Sequence, residues 1–70
     1  MKASFNDHVI TTRAVETDGG TPVPPGTHGF VVRVIEEPAE AYVVELYLGN
    51  WQETEETALS VLIPLDFDLA

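Results

Sequence analysis

Cysteine, basic side chains and long apolar runs are scarce in this 70-residue sequence. The absence of cysteine excludes disulfide bonds and thiolate chemistry. Twelve acidic residues face only three basic ones, giving a net charge of -9. This charge disfavours nucleic acid and anionic membranes, because phosphates are contacted mainly by Lys and Arg. No segment approaches the ~20 apolar residues of a membrane span, and the first residues lack the apolar stretch of a secretory signal, so we expect a cytoplasmic protein.

The length predicts one domain over residues 1–70 with a small core, held together by packing alone or with a partner or second copy. An apolar content of 44% is ordinary for a folded domain and argues against disorder. The core leaves little room for a deep pocket of several hundred Å³, as small-molecule sites usually need. These features favour a non-enzymatic domain.

Turn signals divide the chain into four apolar segments. The first, residues 7–15, is rich in β-branched residues and ends at the turn signal of residues 17–20. Residues 30–35 and 41–48 form the next two segments, and a fourth, residues 59–63, precedes Pro64 and a short tail with alternating apolar residues. Residues 51–57 are either a polar loop or a short helical turn, because three glutamates there tolerate both.

Alternation of side chains favours β-strands over helices, most clearly in residues 41–48. Consecutive strands with short connections pair antiparallel, and curling the sheet closes the small core. We therefore predict an all-β fold, a small SH3-like barrel of four to five antiparallel strands. The predicted inward side chains are Val9, Val32, Val34, Tyr42, Val44, Leu46, Val61 and Ile63.

A loop rich in proline and glycine, residues 21–29 (the proline loop), precedes the second segment. Its glycines Gly26 and Gly29 are expected where a Cβ would clash or where φ is positive. This Gly-x-x-Gly step into a Val-rich strand resembles SH3-like barrels of the KOW type. Members of that group that bind RNA carry basic residues near the loop, whereas this chain has only His28 and Arg33 there.

Over about residues 5–69, the chain also resembles an uncharacterised bacterial family of short SH3-like proteins, a domain of unknown function. The resemblance rests on residues 7–9, the loop 24–29 with its Val-x-Val strand, the segment 42–46, and Pro64 with residues 68–69. It implies the fold and no established activity. Some small proteins of this kind are companions of another gene product, such as antitoxins or immunity proteins.

The amino-acid sequence contains no recognisable catalytic or metal-binding motif. The two histidines, His8 and His28, have no ligand-like spacing to the aspartates, so no metal or cofactor is predicted. No G-x-S-x-G motif accompanies the serines. Adjacent glutamates such as those at 36–37 and 55–56 are typical of solvated turns more than of catalytic pairs.

Trp51 stands in an otherwise polar segment and has two interpretations: a contact residue for a partner, or a side chain that caps an open end of the barrel. The glutamates around it could join Glu36, Glu37 and Glu40 in one acidic face that docks a basic partner, or could serve solubility alone. The residues proposed to bind a partner are Pro24, Pro25, His28, Trp51, Glu53, Glu55 and Glu56.

The favoured function is a protein-interaction module whose partner is a protein, with a basic one fitting the charge. The alternative is an inhibitor of the antitoxin or immunity type, acting on a basic or nucleic-acid-binding partner. Nucleic-acid binding through the KOW-like fold is a third and weaker interpretation, because lysine and arginine are so few.

Overall fold

The computed structural model describes all 70 residues and contains seven strands. Five of them form an antiparallel sheet in the order β6-β5-β4-β1-β7, and the remaining two pair as a hairpin, β2-β3. The predicted all-β, barrel-like fold is confirmed. The strands are β1 (His8–Thr11), β2 (Val15–Glu16), β3 (Pro22–Val23), β4 (His28–Ile35), β5 (Ala41–Tyr47), β6 (Thr57–Leu62) and β7 (Phe67–Leu69), with a 3₁₀ turn at Pro64–Asp66.

Two connections curl the sheet towards closure. The 3₁₀ turn brings the chain back so that β7 pairs with β1, although β6 and β7 are neighbours in sequence. On the other side the hairpin covers part of the edge of β6, where Asp18 N–H donates to Leu59 O at 2.8 Å and Ser60 Oγ donates to Glu16 O. No helix in the structure is long and apolar enough to cross a membrane.

The core fills the concave side of the sheet, and Tyr42 and Phe67 meet edge to face at its centre, 5.2 Å apart. On β5, residues 42, 44 and 46 alternate inward as predicted, and on β1 Val9 does the same. Val34 is half-buried against the core. The fully buried apolar side chains are Ala3, Val9, Val23, Val31, Tyr42, Val44, Leu46, Leu62 and Phe67.

Three of the predicted core residues were wrong: Val32, Val61 and Ile63 are exposed. A β-bulge in β4 is the cause at Val32, because the register with β5 shifts between Val31 and Arg33 and leaves Val32 without an opposite residue. Val31 and Val34, three residues apart, therefore both face the core.

On β6 the prediction chose the wrong face, because apolar residues occupy both faces of the strand. Ser60 and Leu62 are buried opposite Val44 and Tyr42, so Val61 faces outward. Ser60 can be buried because its hydroxyl has a carbonyl partner on β2.

Segment boundaries also differ from the prediction. The segment 7–15 is not one strand, because the chain turns after Thr11 and begins a separate strand at Val15. The proline loop contributes Pro22–Val23 to β3 and begins β4 at His28. Residues 51–57 contain a single turn, in which Glu53 and Thr54 N–H donate to Asn50 O, and β6 begins at Thr57.

The two glycines of the Gly-x-x-Gly step serve the two different purposes that were predicted. Gly26 has a φ of +85°, which L side chains rarely adopt. Gly29 lies in β4, where a Cβ would stand 2.7 Å from Glu45 O. The first glycine therefore makes the turn, and the second allows β4 and β5 to pair closely.

Candidate functional site

A groove of about 380 Å³ lies between the proline loop and the end of β5. It is lined by residues 21–28 on one side and residues 47–49 on the other. Pro24 and Pro25 are exposed along it, and Leu48 packs on the core beneath. The groove thus offers stiff apolar rings on a surface that is open to a ligand.

Thr11, which is buried at the end of β1, holds the proline loop in place. Its hydroxyl donates to Pro24 O at 3.0 Å and accepts from Thr27 N–H at 2.9 Å. Its backbone adds two more hydrogen bonds, from Thr11 N–H to Thr27 O and from Gly26 N–H to Thr11 O. These contacts fix one wall of the groove before any partner arrives, which lowers the entropy cost of binding.

A cluster of five rings lies beside the groove on the convex face of the sheet. Strand alternation places His8, His28, Phe30 and Tyr47 on this face, and Trp51 folds over it from the β5–β6 connection, residues 48–56. Trp51 stacks on His28 at 4.7 Å between ring centroids and an interplanar angle of 18°. Below it His8 stacks on Phe30 at 4.8 Å, and Phe30 meets the edge of Tyr47 at 5.8 Å.

The two histidines of this ring cluster are hydrogen-bonded to each other, with His8 Nε2 2.8 Å from His28 Nδ1. One of these nitrogens must carry a proton and the other must accept it. Burial lowers the pKa of His8 below its ordinary value of 6.5, and the charge of His28 lowers it further. The pair therefore resists taking up two protons.

Besides the Thr21 hydroxyl, two side-chain polar groups that line the groove have no hydrogen-bond partner within the protein. They are the hydroxyl of Tyr47 and Nε2 of His28, since only Nδ1 of that ring is used by His8. No buried side-chain nitrogen or oxygen lacks a partner, so these two groups are reached by solvent. Both can therefore hydrogen-bond to a ligand that lies in the groove.

No Lys, Arg, Asp or Glu lines the groove. The sequence from residue 14 to residue 32 and from residue 34 onward contains no Lys or Arg. Of the three basic side chains, Lys2 pairs with Asp68 at 3.3 Å and Arg13 pairs with Asp66 at 2.6 Å. Glu53, Glu55 and Glu56 are exposed in the β5–β6 connection and make no ion pair.

The single acidic face predicted from the sequence is instead two separate acidic patches. Glu36, Glu37 and Glu40 precede β5, whereas the glutamates at 53, 55 and 56 follow it. The seven residues of β5 separate the two groups by roughly 20 Å. Glu40 also has a structural role, because it accepts a hydrogen bond from the buried Tyr42 hydroxyl, which lowers the pKa of its carboxyl group.

The seven predicted partner-binding residues all belong to two neighbouring segments. Pro24, Pro25 and His28 line the groove, Trp51 packs on His28, and the three glutamates extend along the same connection as Trp51. Trp51 packs on the outward-facing rings of β1 and β4. The contacts that place it there are with the two histidines.

Sequence reasoning missed His8, Phe30 and Tyr47 as members of the ring cluster. All three occupy outward positions of their strands, so a correct assignment of strand phase is the signal that finds them. The bulge in β4 conceals this phase in the sequence. No group of three or more His, Asp or Glu side chains is arranged to hold a metal ion.

The chain matches no known protein-family model, and no curated protein or solved structure matches it.

Proposed function

We propose that this protein is a non-enzymatic interaction module that binds a segment of a basic protein along the groove between the proline loop and the β5–β6 connection. The observation that carries the proposal is the grouping of the groove, the ring cluster and three unpaired glutamates at one end of β5. Interaction hot spots are enriched in aromatic residues next to a well-packed surface. Trp51 and Tyr47 supply such residues here.

A basic partner fits this site because no Lys or Arg lines the groove and the connection that continues from its 47–49 side carries three exposed glutamates. A cationic segment would find the Tyr47 hydroxyl and the proline rings inside the groove, and carboxylates along that connection. Charge complementarity of this kind raises association rates and excludes acidic partners. The fixed proline loop supports the same conclusion, since a wall held by Thr11 requires no ordering on binding.

A displayed library of random peptides tests the proposal, because no particular ligand has to be assumed. Selection on the immobilised protein should enrich peptides with net positive charge. Each enriched peptide is then titrated in solution while the emission of Trp51, the only tryptophan, is recorded. Trp51→Ala, followed by calorimetry, should weaken binding at least about thirtyfold, the effect of removing a hot-spot residue.

Two double variants at adjacent glutamates distinguish the effect of charges beside the groove from the effect of net charge. Glu55→Gln/Glu56→Gln changes the groove end, and Glu36→Gln/Glu37→Gln makes the same change of net charge at the opposite end of β5. The first double variant should weaken binding roughly two- to thirtyfold and the second should have little effect, because exposed ion pairs contribute only ~0.2–1 kcal/mol each. Failure to enrich any peptide, or equal effects of the two double variants, contradicts the proposal.

Inhibition of a basic or nucleic-acid-binding protein is a second candidate, and the distribution of ion pairs favours it. Two of three cations are already neutralised within the fold, so most carboxylates face solvent without a counter-charge. Such a surface can cover the nucleic-acid site of another protein. Co-expression with a basic toxic protein encoded beside this gene tests it: rescue of growth that Glu55→Gln/Glu56→Gln reduces supports inhibition, and no rescue counts against it.

A further inference from the structure

The His8–His28 hydrogen bond joins β1 to β4 beside the groove, and it depends on the protonation of the two imidazoles. His8 belongs to β1, His28 lines the groove from β4, and Trp51 lies on both rings from the β5–β6 connection, at 4.8 Å and 4.7 Å. Any change in the separation of the two imidazoles must therefore displace the tryptophan that covers them.

The number of protons on the pair decides whether this hydrogen bond exists. With no extra proton, one neutral imidazole donates to the other across the 2.8 Å contact. With one extra proton the same contact is an imidazolium donating to an imidazole, which is a stronger, charge-assisted bond. With two extra protons both facing nitrogens carry hydrogen, so the bond is lost and two positive charges repel each other.

Two cations lie on elements next to the pair: Arg33 follows Phe30 on the outward face of β4, opposite Val43, and Lys2 is paired with Asp68. Asp7 adjoins His8 in the chain, Glu45 lies beside Phe30 on the same face, and Asp68 of β7 lies opposite Ile10 on that face. Tyr47 from β5 belongs to the cluster itself, and the three exposed glutamates of the β5–β6 connection lie on the same segment as Trp51. Asp7 and Asp68 are already engaged, by Ser4 N–H and by Lys2.

We propose that the His8–His28 pair makes the groove pH-dependent: with at most one extra proton it holds Trp51 against the sheet, and the second proton releases Trp51 and weakens binding of a cationic partner. Two effects act in the same direction. The β5–β6 connection loses its anchor on the sheet, and the protonated His28 places a positive charge on the wall of the groove. The binding part of this inference rests on the proposed function, whereas the release of Trp51 does not.

The free protein tests the release first. Imidazole ¹⁵N signals resolve the two protonation steps while the pH is lowered from about 8 to about 5, the range in which histidines titrate. The Trp51 indole signal and emission maximum should stay constant through the first step and change in the second. Far-UV circular dichroism should remain unchanged throughout, because the core on the concave side does not include the pair.

Variants that keep only one of the two histidines are the control, because the remaining imidazole can take up only one extra proton. His8→Gln keeps an amide able to bond to His28, and His28→Gln does the reverse. Trp51 should remain in place in acid in both, and if one variant fails to fold by circular dichroism, the other still decides. Trp51 that stays fixed through both steps of the wild type, or that is released equally in both variants, overturns the proposal.

The peptides selected for the groove then test the coupling. If only the closed form binds, affinity should fall about tenfold for each pH unit below the second protonation step, as for one linked proton. Release of Trp51 without any selected peptide would contradict the proposed function and leave the switch established. Peptides that bind with no change of affinity across that step would contradict the switch and leave the groove as a binding site.

Discussion

Replacing Gly29 with alanine should destabilise the protein, because this position is where β4 approaches β5 most closely. The added Cβ would stand 2.7 Å from Glu45 O, 2.8 Å from Val44 Cγ1 and 2.9 Å from Leu46 Cδ2. The two side chains are completely buried, and the carbonyl belongs to the β4–β5 ladder, so none of the three can withdraw freely. Overpacking of this kind costs about 1–3 kcal/mol.

Alanine also brings a gain that must be subtracted. It restricts the unfolded chain more than glycine and stabilises by about 0.4–1 kcal/mol where the native backbone accepts it. The net loss in the free energy of unfolding should therefore lie between about 0 and 2.6 kcal/mol, with a midpoint of about 1.3 kcal/mol. For a domain of this size the midpoint corresponds to a fall in Tm of roughly 5–10 °C.

Gly19→Ala is the matched control for Gly29→Ala. Gly19 also has no positive φ, and its nearest neighbour for a Cβ, Thr17 Oγ1, is 4.0 Å away. This variant should be as stable as the wild type or slightly more stable. Thermal and urea denaturation followed by far-UV circular dichroism measures both variants. If Gly29→Ala matches Gly19→Ala in stability, the close approach of the two strands is wrong.

Three further predictions concern the core, a buried hydroxyl and pH. Leu62→Ala should lower the free energy of unfolding by about 2–5 kcal/mol, whereas Val61→Ala should change it by less than about 0.5 kcal/mol, because only Leu62 is buried. Urea denaturation measures both variants. A larger loss in Val61→Ala would mean that β6 faces the core with the residues expected from the sequence. Tyr42→Phe should cost about 1–3 kcal/mol in the same assay, since it leaves the buried Ala3 N–H without a partner and removes the hydroxyl that bonds to Lys2 N–H and the Glu40 carboxylate. An unchanged midpoint would contradict those hydrogen bonds. Stability measured across pH should decline in two windows. The pKa of His8 is lowered from 6.5, so the unfolded chain takes up this proton first and stability falls as the pH drops below 6.5. The pKa of Glu40 is lowered from 4.5, so a second decline follows below 4.5; a stability that rises between neutral pH and the first window would refute this assignment.

Much of the fold could be predicted because the alternation of residues along β5 shows clearly which side chains face the core. Tyr42, Val44 and Leu46 alternate with residues that are less apolar or charged, so one face is chosen by burial alone. Gly26 and Gly29 were also predictable, since few backbone conformations and few strand contacts demand glycine. These local signals agree with the structure because nothing distant competes with them.

The phases of β4 and β6 could not be predicted, and the reasons differ. In β4 the bulge at Val32 depends on pairing with another strand, and the five apolar side chains among residues 30–35 indicate no preferred face. In β6 the outward face carries Leu59 and Val61, which by hydrophobicity alone outweigh the buried Ser60. Burial of that serine depends on a carbonyl 44 residues away in sequence, at Glu16.

The types of residue in the candidate site could be predicted from the sequence, but their arrangement in space could not. Trp51 and the proline loop are conspicuous in the sequence, but their proximity depends on Thr11, which fixes the loop, and on outward positions of β1 and β4. The assumed single acidic face failed for a related reason: charge can be counted from sequence, whereas its distribution depends on which turns lie at the same end of β5.

The position of the histidine pair separates what the ring cluster does for stability from what it does for binding. Both rings are only half-buried on the convex face, outside the core that holds the barrel together. Burial lowers the pKa of His8, so the folded state loses stability in acid because of this residue. A valine or threonine at an outward strand position would pair equally well without that loss. Packing therefore does not explain why positions 8 and 28 are histidines. The proposed release of Trp51 on protonation does explain it, because that release needs titratable side chains at both positions.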